Sequence, residues 1–269
     1  MLVLRAVTCE ENYSQHNQTT PTSENSIDNP KLSSAEVIPV TLQEGHGHIL
    51  RRKRSHYGKD VLDRDYPFVV ALHNSYHQYT CAGSIITRSL VLTASHCIYE
   101  TQINHVRVLS ADGTMEYTHN IHKMVAYPAS DRVYYDDIGL LILSIPIQNA
   151  QTLPLLPKNY KVTDGRIASA FGWGMTEYGI LSTQLRKVDL SVMTSYCMNI
   201  NPNARHWICT DSRVSDVCQG DSGGPLVYGG YIVGVASHVN GYCRSGTPSV
   251  FAEVAAYRDW IDSYTSIYN

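Results

Sequence analysis

From Ser55 to the carboxyl end, the chain breaks into short β-branched and aromatic runs separated by Gly, Pro and Asn turns. This is the pattern of an all-β chain, with one late helical segment expected around Ala255 to Tyr264. Two of the runs, Leu90-Val91-Leu92 and Ile138-Gly139-Leu140-Leu141-Ile142-Leu143, are apolar enough to be buried strands. With 269 residues and 43% apolar content, the chain can bury one substantial core or two small ones. No apolar run reaches the length of about 18 residues that suggests a membrane span.

Seven cysteines stand at positions 9, 81, 97, 197, 209, 218 and 243, and six of them follow residue 54. An even number there points to disulfides and an oxidising compartment. Six cysteines allow fifteen connectivities, so the sequence by itself leaves the pairing open, and Cys9 is the odd one out. The formal charge of −3 gives no sign of a polyanionic partner, and the body of the chain has neither a basic cluster nor a glycine-rich phosphate loop.

Residues 9 to 50 are rich in Ser, Thr, Asn, Gln and Glu, and lack the periodicity that builds a core. They read as a disordered pro-segment. Two N-glycosylation sequons, Asn12-Tyr13-Ser14 and Asn17-Gln18-Thr19, agree with secretion. The opening Met1 to Cys9 resembles the end of a signal sequence, although its apolar run is short and broken by Arg5. The segment closes on Arg51-Arg52-Lys53-Arg54. The expected division is therefore residues 1–54 as signal remnant and pro-segment, and 55–269 as the functional domain.

Chemistry concentrates in Cys218-Gln219-Gly220-Asp221-Ser222-Gly223-Gly224-Pro225. One serine stands among glycines, whose missing Cβ atoms let backbone N–H groups crowd a reacting carbonyl. The amides of Gly220 and Ser222 are the candidates for holding a developing oxyanion. A serine hydroxyl is a weak nucleophile at neutral pH, and needs a base held in turn by a third group. His96, at the end of Leu90-Val91-Leu92-Thr93-Ala94-Ser95-His96-Cys97, is expected at a strand end beside a pinning cysteine. Asp137, at the mouth of the Ile138 run, is placed to orient an imidazole, with Asp136 as its neighbouring alternative. The remaining histidines lie in no comparable context, and His73, His77, His119 and His122 are expected to be solvated. Neither a His-Glu-x-x-His nor a Cys-x-x-Cys spacing occurs, so no metal and no cofactor is expected.

These three segments, in the order His, Asp, Ser, resemble the trypsin-like serine proteases of the chymotrypsin fold. Cys81-Ala82-Gly83-Ser84-Ile85, Gly172-Trp173-Gly174 and Tyr257-Arg258-Asp259-Trp260-Ile261 extend the resemblance from about Ser55 to the carboxyl end. It implies two antiparallel six-stranded barrels with the active site in the cleft between them. His96 is then the general base, Asp137 the group that fixes its tautomer, and Ser222 the nucleophile. The resemblance also implies the pairs Cys81 with Cys97, Cys197 with Cys209, and Cys218 with Cys243. Closing loops of this size is typically worth about 2 to 4 kcal/mol each.

The same resemblance assigns activation and specificity. Cleavage after Arg54, by a proprotein convertase, frees a terminus at Ser55 that inserts beside Asp221 and orders the oxyanion loop. Ser55-His56-Tyr57-Gly58 stands where the family has Ile-Val-Gly-Gly, and the lost isoleucine burial is worth about 1.5 to 3 kcal/mol. Asp216 matches the base of the primary pocket, where an acid selects Arg or Lys by a charge-assisted hydrogen bond. Val239 and Ser249 stand where the pocket walls carry glycines, which narrows the shaft toward smaller residues. Ser237 matches the serine that bonds the triad acid. The expected activity is that of a secreted, monomeric serine endopeptidase made as a zymogen. Its partners are peptide or protein substrates, the convertase and protein inhibitors, with no nucleic acid and no membrane. The alternative, motivated by Ser55 and the altered walls, is a non-catalytic homologue acting as a binding or regulatory module. A further alternative is a pro-segment that is never cleaved.

Overall fold

The computed structural model describes residues 58–109, 116–128, 135–239, 243 and 246–269, apart from the side chains of Leu109 and Val239. Cys9, the sequons, Arg54 and Ser55 lie outside the described residues. A two-residue strand β1 (Lys59–Asp60) precedes the first barrel, which is built from β2 (Val69–Asn74), β3 (Tyr79–Ile85), β4 (Leu90–Thr93), β5 (Ile103–Leu109), β6 (Glu116–Ala126) and β7 (Gly139–Leu143). These six strands close in the order β2-β3-β4-β7-β6-β5, every pair antiparallel. Strands β4 and β7 are buried at every position. That explains why they read as unbroken apolar runs. Their core takes in Ile232, Val235, Val254, Tyr257 and Ile261 from the far end of the chain, so both strand faces are covered.

The second half contributes β8 (Ile167–Gly172), β9 (Arg186–Ser191), β10 (Trp207–Thr210), β11 (Pro225–Tyr228), β12 (Tyr231–Val239) and β13 (Ser249–Glu253). Together with β1 they form a seven-stranded sheet in the order β1-β9-β8-β11-β12-β13-β10. In β9, buried Val188 and Leu190 flank exposed Asp189, the period of a strand with one face on a core. The end of β9 curls back to β10: Val192 bridges Thr210, the Met193 amide donates to the Cys209 carbonyl (2.8 Å) and the Asp211 amide to that of Ser191 (2.9 Å). The twin-barrel expectation thus takes the form of one fully closed barrel and a second six-strand set joined by a single bridge, with β1 appended outside β9.

The late helix is α3 (Arg258–Thr265), entered through a 3-10 turn at Val254–Tyr257. Its Ile261 is fully buried against the first barrel, and Trp260 and Tyr264 pack beside it. Two further helices, α1 (Ser95–Glu100) and α2 (Thr194–Ile200), were not legible in the sequence. At six and seven residues they are too short to be stable alone. Each is stapled instead, because Cys97 of α1 is bonded to Cys81 and Cys197 of α2 to Cys209. The third bond joins Cys218 to Cys243, completing the implied set.

Candidate active site

Strand pairing brings the first two site residues together. Thr93, the last residue of β4, lies opposite Gly139, the first of β7. His96 follows Thr93 by one turn and Asp137 precedes Gly139, so both emerge from the same end of the barrel. His96 is therefore in the first turn of α1 rather than at the strand end itself. The Asp137 side chain is 1% exposed and accepts four hydrogen bonds. They come from Ser95 Oγ (2.9 Å), the His96 amide (2.9 Å), His96 Nδ1 (2.7 Å) and Ser237 Oγ (2.6 Å). Asp136 is engaged elsewhere, accepting from the Tyr257 hydroxyl at 2.8 Å with His206 Nδ1 at 3.5 Å. The choice between the two acids thus falls to Asp137.

The electrostatics follow from this packing. Burial alone would raise the Asp137 pKa, but the bond and charge of His96, the Ser237 hydroxyl and the His96 amide hold it down at about 2. Burial likewise disfavours an imidazolium at His96, yet Asp137, by bond and charge, and Glu100, by charge, more than offset it and raise its pKa above the ordinary value. The Nδ1 contact leaves Nε2, 3.7 Å from Cys97 Sγ, as the nitrogen not engaged by Asp137, on a ring that lines the cavity. That is the orientation of a general base.

The Ser222 loop is clamped between the two halves. The Ser222 carbonyl accepts from the Ala82 amide of β3 (2.8 Å), and the Gly223 amide donates to the Ala236 carbonyl of β12 (2.7 Å). Gly223 has φ +77°, and a Cβ there would stand 2.2 Å from Thr93 Oγ1 and 2.4 Å from the Ala82 carbonyl oxygen. Gly220 has φ +97° and is closed in by Leu181, Gly174 and Tyr79. The Tyr79 hydroxyl donates to the Gly220 carbonyl at 2.5 Å, which fixes the orientation of the peptide that follows Gly220. Among the described residues, the amides of Gly220 and Ser222 donate to no protein acceptor.

A cavity of about 260 Å³ is lined by His96, Glu100, Gln219, Asp221, Ser222, Ser237 and His238 among others. Ser222 and His96 share it without a hydrogen bond between them in this conformation. Such bonds tighten when substrate binds. His238 Nδ1 lies 3.1 Å from Ser237 Oγ, and burial lowers the His238 pKa to about 4. The imidazole is therefore neutral near pH 7.

Asp216 is 2% exposed and accepts a hydrogen bond from Ser249 Oγ. Neither Asp216 nor Ser249 is among the residues lining this cavity, although Val217 and Cys218, which follow Asp216, are. Val239 pairs with Ser249 across β12 and β13, and its side chain is outside the described residues. Asp221 is partly exposed as a residue, but its carboxylate is enclosed: a Cβ at Gly172 or Gly174 would come within 2.6 Å of it. Oδ1 accepts from the Gly174 amide and Oδ2 from the Cys218 amide, both at 2.8 Å. Burial, with Asp216 adding to it, pushes the Asp221 pKa up to about 6 against the lowering effect of those amides and of Arg186.

Several participants escaped the sequence reading. Ser95 sits next to His96 in the motif, but nothing in the pattern distinguishes a hydroxyl aimed at Asp137 from one aimed at solvent. Tyr79 and the glycines around Trp173 act only through the fold. His73, expected in solvent, is 4% exposed, stacked on His105 with ring centroids 5.7 Å apart. Burial and the Arg107 charge hold its pKa at about 4. Cys81, His96 and Cys97 cluster closely enough to suggest metal ligands, but both sulfurs are taken up in a disulfide.

Residues 57–261 match the family model described as Trypsin. The chain belongs to the trypsin family. Trypsin iota of Drosophila melanogaster is 29% identical over 216 residues, covering 76% of this chain and 85% of that protein. Chymotrypsin of Phaedon cochleariae is 32% identical over 225 residues, covering 77% and 81%. Among solved structures, human heparin binding protein superposes with a TM-score of 0.68 at 27% identity, over 78% of this chain and 96% of that one. This trypsin-family member is a serine endopeptidase, and its substrates are peptides or proteins.

Proposed function

We propose that the protein is a secreted endopeptidase, released from a zymogen by cleavage after Arg54, that hydrolyses peptide bonds through an acyl-enzyme on Ser222. The four-bonded Asp137 carboxylate holding His96, which lines the same cavity as Ser222, is the observation that carries this reading. His96 Nε2 removes the Ser222 proton as the hydroxyl oxygen attacks the substrate carbonyl. The amides of Gly220 and Ser222 receive the oxyanion. His96 then protonates the leaving amine, and a water molecule activated by the same imidazole cleaves the ester. Asp137 keeps its charge throughout and holds the ring.

For the residue before the scissile bond, a basic side chain is the reading that Asp216 supports, with Ser249 as modulator. A guanidinium binds a carboxylate best through two parallel bonds, whereas an ammonium needs only a point contact. Since the Ser249 hydroxyl already occupies one face of the Asp216 carboxylate, Lys is preferred to Arg. Heparin, named for the structural neighbour, is a polyanion, and the −3 charge of this chain offers it no attraction.

The reading is tested by reacting protein processed at Arg54 with a fluorophosphonate and mapping the label. Modification of Ser222, lost in Ser222→Ala, is expected. A folded and fully processed sample that stays unlabelled would refute it.

A further inference from the structure

The Asp221 carboxylate raises a question that the two amide bonds do not answer. Those amides satisfy its oxygens but bring no full charge into an enclosed site, and an ionised carboxylate in apolar surroundings needs a cation. The described residues contain one at the right place. Arg186, the first residue of β9, lines with Asp221 a narrow gap of about 10 Å³ whose other walls are Ala170, Phe171, Gly172, Val188 and Val217. That gap is no larger than about one water molecule, so the two charges act on each other across a short distance, while Asp221 also borders the 260 Å³ cavity.

The guanidinium is also held from its other side. Its Nη2 donates to the Gly58 carbonyl (2.9 Å), Glu177 Oε2 lies 3.6 Å from Nη1, and Asp60 Oδ1 lies 3.7 Å from Nε. Asp60 and Arg186 face each other in the pairing of β1 with β9. Arg186 therefore joins the first described residues of the chain to the oxyanion loop. The other ionisable groups facing Asp221 are Asp216 on its own loop and the Tyr79 hydroxyl on β3, and neither supplies positive charge.

We infer that Arg186 is a positioning residue for the oxyanion loop: its guanidinium is an internal counter-cation for Asp221 and holds the loop in working shape before Ser55 is freed as well as after. This rests on the protease reading above. It also accounts for how a chain that begins with Ser55, in place of a larger apolar residue, sustains an ordered site. The terminus adds to a charge balance that β9 already supplies in part.

The test compares fluorophosphonate labelling rates across pH for the uncleavable Arg54→Gln chain and for processed protein, each with Arg186, Arg186→Gln or Arg186→Lys. The uncleaved chain with Arg186 intact is expected to label measurably. Arg186→Gln is expected to move the acid midpoint of labelling up by about one pH unit and to slow labelling about tenfold below it. Arg186→Lys, which keeps the charge, restores most of the rate. In an Asp221→Asn background, Arg186→Gln should cause no further change in labelling rate or acid midpoint, although the melting temperature falls through the lost contacts to Gly58, Asp60 and Glu177.

Wild-type rate and midpoint in Arg186→Gln would overturn the inference. So would an uncleaved chain that is inert while processed protein labels, or a full Arg186→Gln loss persisting without the Asp221 charge. If Arg186→Gln does not fold, Arg186→Lys decides: a rate as low as that of the inert Ser222→Ala control counts against the charge role. Processed wild type that never labels is a different failure, and sinks the protease reading itself.

Discussion

Asp137 and Asp221 are both buried carboxylates within a few residues of the reacting atoms, and their surroundings treat them in opposite ways. Asp137, on the first barrel, is ringed by four donors and a titratable ring, and its pKa falls to about 2. Asp221, on the second half, has two amides and an enclosed position, and its pKa rises to about 6. The first barrel therefore presents a finished device, whose charge is secured by residues within the fold. The oxyanion loop is conditional, because its charge depends on cations brought to it by β9 and, in the proposed activation, by the terminus at Ser55. In the proposed activation, the first part is complete in the uncleaved chain and the second gains a further cation on cleavage.

The comparison breaks most sharply at Asp137. Asp137→Asn is expected to lower kcat about 10⁴-fold, because the imidazole loses the partner that fixes its tautomer. The catalytic base works only when neutral, and Asp137 is what raises the His96 pKa. The acid limb of kcat/KM should accordingly move to lower pH in the variant. Steady-state kinetics between pH 5 and 9 check both effects.

On the other side of the comparison, Gly220→Ala places a methyl group 2.8 Å from Leu181 Cδ2 and 3.0 Å from Gly174 Cα, on a backbone at φ +97°. The loop must shift, and loss of one oxyanion donor lowers kcat by about 10²- to 10³-fold with the fold retained. A smaller effect is expected at the pocket base. Ser249→Gly removes one hydroxyl donor from the Asp216 carboxylate, and turnover of Arg substrates should rise about tenfold relative to Lys, the worth of one charge-assisted bond. Paired Arg and Lys chromogenic peptides measure the ratio.

The smallest expected effect is on stability, and there the two acids have opposite signs. Asp137, held near 2, stabilises the fold above its unfolded value of 3.8, and that stability is lost as pH falls through 2. Asp221, raised to about 6, binds its proton more tightly folded than unfolded, so its contribution declines as pH rises from 3.8 through 6. Melting temperatures of the uncleaved Ser222→Ala chain between pH 3 and 7 should show the declining part vanish in Asp221→Asn. A decline that persists there would assign it to another group.

Legibility followed the same division. His96, Asp137 and Ser222 stand in contiguous motifs, and the apolar runs Leu90–Leu92 and Ile138–Leu143 announced the strands whose pairing joins the first two. Asp137 was preferred to Asp136 from its place directly before the Ile138 run, and the structure adds where Asp136 goes instead, to Tyr257 and His206. Asp216 was assigned by register, but its burial and its bond to Ser249 depend on how β13 packs. Tyr79, Ser95 and Arg186 carry no local pattern, because each acts across more than thirty residues of chain. Helices α1 and α2 escaped because disulfides hold them, so periodicity never had to.

The central claim is that these residues form a working serine endopeptidase, and its most direct test is cleavage of a peptide library by protein processed at Arg54, beside its Ser222→Ala counterpart. The account predicts cleavage after Lys, and more weakly after Arg, by the first, and none by the second. Folded, processed protein that leaves the library intact, or a Ser222→Ala variant that cleaves as well as the parent, would contradict it.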